Sequence, residues 1–111
     1  MDSIDLARRA REALLSKKAA NVTIVNVGST SPVADYYVIA SGDTGPQLKA
    51  MMNAVQMDLK HDGTMCYRRS GVPDDGWVVL DYFDVVIHIF LKELRDYYAI
   101  EELWAGAPQV P

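Results

Sequence analysis

The sequence has a single cysteine, Cys66, so it has no internal disulfide framework. That removes the usual mark of an oxidising compartment, and cytoplasm is the expected location. No apolar run is long enough for a bilayer-spanning helix. The N-terminal residues mix Asp2, Asp5 and Glu12 with Arg8, Arg9 and Arg11. They read as neither a secretory signal nor a transit peptide. There is no zinc-type Cys or His pair, no Gly-Lys-Thr phosphate loop, no dinucleotide fingerprint and no nucleophile elbow. Repeats and low-complexity tracts are also missing.

What remains is the composition of an ordinary domain: 111 residues, 50% hydrophobic and 23% charged. Its net charge of −4 is unevenly spread. Residues 1–18 carry +2, residues 19–70 balance, and residues 71–111 carry −6, with only Lys92 and Arg95 against eight acids. An acidic half disfavours direct nucleic-acid binding, which rests on neutralising phosphates. It suits a basic protein partner.

Apolar spacing predicts helices over residues 3–18, 44–61 and 91–104, the last interrupted near Ala99. The second opens on a capping box, Thr44 with Gln47, and ends at Gly63. Strands are predicted over residues 22–27, 35–41, 65–69, 77–81 and 84–90. Cys66 reads as a small buried hydrophobe in the third strand. The expected fold is α/β, a five-stranded mixed sheet flanked by helices in the order α-β-β-α-β-β-β-α. One domain is expected over residues 1–106, with a loose tail over 107–111.

The last two strands are close enough to form a hairpin. With Tyr82 and Phe83 as its tip, Asp81 faces Asp84, Val79 faces Val86, and Trp77 faces His88. Alternation then puts Trp77, Val79, Asp81, Asp84, Val86 and His88 on one face. Val78, Leu80, Val85, Ile87 and Ile89 form the other, which is aliphatic and must be core. A slip of one residue would exchange the faces. Neither Tyr82 nor Phe83 is a residue that a two-residue tip favours.

Three constellations bear on chemistry. Ser29, Asp35 and Asp81 suggest a divergent metal-dependent nucleotidyltransferase, but a phosphate grip is missing. His88 with Asp81 and Asp84 suggests an acid–base or metal group, against a structural or interface histidine. Among the aromatics, Tyr97 and Trp104 read as core, while Trp77 and Tyr98 are open between core and contact.

Residues 75–90, DGWVVLDYFDVVIHIF, followed by Arg95-Asp96-Tyr97-Tyr98 and Glu101-Glu102-Leu103-Trp104, resemble the ribosomal silencing factor family, RsfS or Iojap. Residues 34–42, ADYYVIASG, with Gln47, resemble the family's other motif. The resemblance covers residues 2–105. It implies a nucleotidyltransferase-like fold without catalysis or cofactor. It implies a homodimer when free, and binding to the large ribosomal subunit through ribosomal protein uL14. The bound factor would block the small subunit and repress translation when nutrients are scarce. Two positions depart from the family: Phe83 stands where members often carry glycine, and Pro46 where they often carry a basic residue. Charge and face assignment make Trp77, Asp81, Asp84 and His88, with Asp74, Asp75, Tyr98, Glu101 and Glu102, the candidate contacts. No membrane contact is expected. A dimeric adaptor for another partner is the remaining alternative.

Overall fold

A computed structural model describes residues 1–29, 31–97, 99, 102 and 106–111. Among the described residues, three helices and six strands follow in chain order: α1 (Ser3–Leu15), β1 (Ala20–Asn26), β2 (Tyr36–Gly42), α2 (Gly45–His61), β3 (Arg68–Val72), β4 (Trp77–Asp81), β5 (Val85–Leu91), α3 (Lys92–Tyr97) and β6 (Gln109–Val110). A short 3₁₀ turn, Pro73–Asp75, joins β3 to β4. The strands form one mixed sheet in the order β3-β4-β5-β2-β1-β6. Only the β2–β5 pair is parallel among those described. The α/β class is as expected.

The strand count is one higher than expected. Gln109 and Val110, in the segment read as a loose tail, pair with Val25 and Ile24 of β1. Two residues are too few to show an alternation. The third strand also lies later than expected. Met65, Cys66 and Tyr67 precede it, and Gly71 lies inside it. Gly71 has φ +77, and a Cβ there would meet the Trp77 carbonyl oxygen at 2.2 Å. Pairing with β4 therefore overrides a residue that reads as a turn. Replacing Gly71 with Ala should cost about 2 kcal/mol, because both the backbone angle and the space are unsuitable. Urea unfolding measures it.

One face of the sheet takes α1 and α2. Leu6, Ala7, Ala10, Ala13 and Leu14 from α1 meet Leu48, Met51, Met52, Val55 and Leu59 from α2 over Val38, Ala40, Val78, Leu80, Val85, Ile87 and Ile89. The aliphatic hairpin face is thus the core. Arg9 of α1 pairs with Asp58 at 3.0 Å and with Asp62, tying the two helices at their solvent side.

The capping box at α2 is present in altered form. Thr44 Oγ1 accepts from the Gln47 N–H at 3.2 Å, while Gln47 Oε1 accepts from the Asp43 N–H at 2.7 Å rather than from that of Thr44. Gln47 Nε2 also donates to the Lys17 and Lys18 carbonyls, both at 3.1 Å, linking the start of α2 to the end of α1. At the far end, the N–H groups of Gly63 and Thr64 close onto the Lys60 and Leu59 carbonyls. This is a Schellman cap, with Gly63 at φ +83.

The hairpin register differs from the expected one by two residues. Asp81 faces Val86, Val79 faces His88, and Trp77 faces Phe90. Two is the side-chain period of a strand, so the faces are unchanged. The tip is Phe83-Asp84. Tyr82 N–H donates to the Val85 carbonyl at 2.9 Å, and Asp84 N–H to the Tyr82 carbonyl at 3.0 Å. Phe83 has φ +68, so the bond across it is that of a γ-turn. Two contacts hold this unusual phenylalanine: its N–H donates to Asp81 Oδ1 at 2.8 Å, and its ring lies 4.1 Å from that of Tyr67.

Candidate partner-binding surface

The opposite sheet face is built differently from the helix-covered one. Its apolar centre is small: Val25, Val27, Ala34, Ile39 and Phe90, with Tyr37, Val86 and Ala107 packed against them. Four rings form a row from β4 through β5 to β2. Trp77 lies 5.0 Å from Phe90, Phe90 lies 6.1 Å from His88, and His88 lies 5.2 Å from Tyr37 in an edge-on arrangement. Such pairs add cohesion beyond the area they bury. Exposure varies along the row: Phe90 is buried, His88 and Tyr37 are partly buried, and Trp77 at one end is 49% exposed. Val72 of β3, directly opposite Trp77, is 51% exposed. Together they present an apolar strip at the β3–β4 side of the face.

Burial lowers the pKa of His88 from 6.5 to about 4, so the ring is neutral near neutral pH. A neutral ring between Tyr37 and Phe90 is a packing element. The sign of the pH effect follows. The unfolded chain binds a proton that the folded chain resists, so this contribution to stability is complete above pH 6.5 and disappears as pH falls toward 4. Between these limits the wild type should lose about 2 kcal/mol more stability than a His88→Phe variant. Urea midpoints of both proteins at the two pH values test this.

Asp81 is half-buried, and one of its carboxylate oxygens is engaged by the Phe83 N–H. Asp84 lies in the tip rather than in the strand and is exposed. Its carbonyl accepts from the N–H groups of Asp35 and Tyr36, at 2.7 and 3.1 Å. The register change thus removes the opposed Asp81–Asp84 pair. Asp74 and Asp75 are exposed in the 3₁₀ turn. Asp74 faces the start of α2, where it lines a cleft of about 560 Å³ with Lys49 and Arg69. Glu102 is exposed, its N–H donating to the Ala99 carbonyl at 2.9 Å. Tyr98 and Glu101 lie outside the described residues, as does Trp104, expected in the core. Tyr97, also expected in the core, is 80% exposed. Tyr97 is the last residue of α3, which is shorter than the helix expected over residues 91–104.

Cys66 lies ahead of β3 rather than within it. Its thiol donates to the Arg68 carbonyl at 3.2 Å, and burial raises its pKa. Among the described residues, no group of three or more His, Cys, Asp or Glu side chains is arranged to hold a metal ion. No described helix is long and apolar enough to cross a membrane. Two members of the ring row, Tyr37 and Phe90, were not among the candidate contacts. Extending the alternation from His88 by two residues reaches Phe90. Tyr37 depends on the parallel β2–β5 pairing, to which neither strand alone points.

The family model for the ribosomal silencing factor during starvation, RsfS, matches residues 1–111. The chain belongs to the ribosomal silencing factor family. RsfS of Halalkalibacterium halodurans is 34% identical, over 99% of this chain and 94% of that protein. RsfS of Chromobacterium violaceum is 34% identical, over 96% of this chain and 87% of its own length. A crystal structure of a Chromobacterium violaceum protein superposes with a TM-score of 0.90 and 33% identity, covering 100% of this chain and 91% of that one. The match over the whole chain makes this a member of the ribosomal silencing factors.

Proposed function

We propose that the protein binds the large ribosomal subunit in the cytoplasm through ribosomal protein uL14. Its bulk then blocks the small subunit from joining, which represses translation under nutrient limitation. It performs no catalysis and uses no cofactor. The free protein is a homodimer, a state that analytical ultracentrifugation reads directly. No membrane or sequence-specific nucleic-acid contact is involved.

The observation that carries this reading is Trp77. It is a tryptophan 49% exposed at the end of a packed row of rings. A rigid aromatic on a firm base loses little entropy on docking, which is why tryptophan so often dominates interfaces. Asp75, Asp84 and Glu102 are exposed acidic residues in the half of the chain that carries −6. They suit a basic ribosomal-protein patch by complementary charge. Asp81 contributes charge as well, but its bond to the hairpin tip gives it a structural duty.

The test is cosedimentation of the purified protein with isolated large and small subunits. Binding to large subunits alone, weakened by raised salt, is expected. Cross-linking from position 77 should then capture uL14. Retention by neither subunit would remove the proposal. For charge, Asp84→Lys should weaken binding about fivefold with an unchanged thermal midpoint, because this exposed side chain lies opposite the expected basic patch.

A further inference from the structure

Arg95 of α3 is only 3% exposed. A guanidinium is costly to bury unless its donors are answered. Here Nη1 donates to the Asn21 carbonyl at 2.8 Å and to Ser41 Oγ at 2.7 Å. The two acceptors come from neighbouring strands. Ala20 faces Ser41 and Thr23 faces Ile39, so β1 holds one more residue than β2 between these pairs. Asn21 lies in this irregular step, at φ +51. A bulge of this kind takes backbone groups out of the ladder, and they need another partner. Arg95 supplies it for the Asn21 carbonyl. Ser41, two residues after Ile39, shares the face of the ring row, so Arg95 draws α3 against that face.

The chain after α3 is fixed again further on. Ala107 packs on the small apolar centre, and the Pro108 carbonyl accepts from the Asn26 N–H at 2.8 Å. Gln109 and Val110 then pair with β1. Arg95 and Pro108 are therefore held near opposite ends of β1. Asp96 of α3 and Glu102 after it are exposed carboxylates, joined through Ala99, whose N–H donates to the Asp96 carbonyl at 3.2 Å and whose carbonyl accepts from the Glu102 N–H at 2.9 Å. Cutting the anchor at Arg95 would leave the core packing of α1 and α2 untouched.

We infer that Arg95 is a positioning residue for partner binding, a latch that holds α3 on β1 and β2 and so fixes the exposed carboxylates of Asp96 and Glu102. It touches no partner itself. It acts by ordering carboxylates before docking, so that less entropy is lost on binding. The affinity consequence rests on the proposed ribosomal function, while the latch itself is a property of the free protein.

The test uses Arg95→Met, Ser41→Ala and Glu102→Gln in the full chain. Amide hydrogen exchange of the free protein should quicken about tenfold at Ala99 and Glu102 in Arg95→Met, relative to amides of Val38 and Ile87. Ser41→Ala, which keeps the guanidinium and removes one acceptor, should show the same pattern at about threefold. It serves alone if Arg95→Met does not fold. Affinity for large subunits should fall about tenfold in Arg95→Met. Glu102→Gln should weaken binding about threefold in the wild-type background and not at all beside Arg95→Met, or Ser41→Ala where that background is used. Uniform exchange in Ser41→Ala, or losses that simply add, would overturn the inference. A wild-type protein that ignores large subunits would remove the proposed function, and the exchange pattern would still decide whether the latch exists.

Discussion

Trp77→Ala should lower affinity for large ribosomal subunits about 100-fold while leaving the protein folded. An exposed tryptophan at the centre of an interface is commonly worth 2 kcal/mol or more, and about 2.7 kcal/mol corresponds to this loss. In the free protein, Trp77 is 49% exposed and gains mainly from the Phe90 ring 5.0 Å away. Losing that contact should cost only about 1 kcal/mol of stability. The signature is therefore a large change in binding with a small change in thermal midpoint. Titration of fluorescently labelled protein with large subunits gives the first quantity, and thermal unfolding the second. An affinity within about threefold of wild type would move the contact surface away from Trp77.

Ile87→Ala should do the reverse. Ile87 is fully buried in β5, the strand between β4 and β2, and it faces α1 and α2. Removing three carbons there leaves a cavity between sheet and helices that neither can fill without shifting its partner. The expected cost is about 3–4 kcal/mol. Domains of this size have about 5–15 kcal/mol in total, so the thermal midpoint should drop by about 15 °C. Below the midpoint, the surviving folded protein should bind large subunits within about threefold of wild type, because the opposite face is intact. A loss of binding without a loss of stability would mean that the helix-covered face, not the ring row, meets the ribosome.

The contrast between these variants depends on the face assignment, which was legible in the sequence. Val78, Leu80, Val85, Ile87 and Ile89 announce a core face by alternation, and a strand's alternation survives an error of two residues in pairing. That error came from Phe83. A phenylalanine at φ +68 is not a residue that local propensity would place in a turn. The Asp81 carboxylate and the Tyr67 ring that hold it come from beyond the turn. The third strand was displaced for a related reason. Gly71 reads as a loop residue, yet it is the one residue type that fits against the Trp77 carbonyl. In β6, two residues after Pro108 carry no pattern of their own and acquire one only by lying beside β1.

The candidate surface was legible in part. Trp77 and His88 could be placed on the non-core face from alternation alone. The row that supports them needs β2 beside β5, a parallel pairing across the whole of α2 and β3–β4. Asp74 was grouped with the surface by charge, but the 3₁₀ turn directs it to the cleft at α2. Charge summed along a chain says which half is acidic and not which carboxylates share a face. Family resemblance supplied the partner, which neither spacing nor charge could name.

Subunit joining is the most direct measure of the central claim. Large subunits are incubated with increasing protein, small subunits are added, and the joined fraction is followed by light scattering and sucrose-gradient sedimentation. Joining should fall to near zero once protein saturates the large subunits, with the Trp77→Ala curve displaced to about 100-fold higher concentration. Undiminished joining on large subunits shown to carry the bound protein would contradict the blockade.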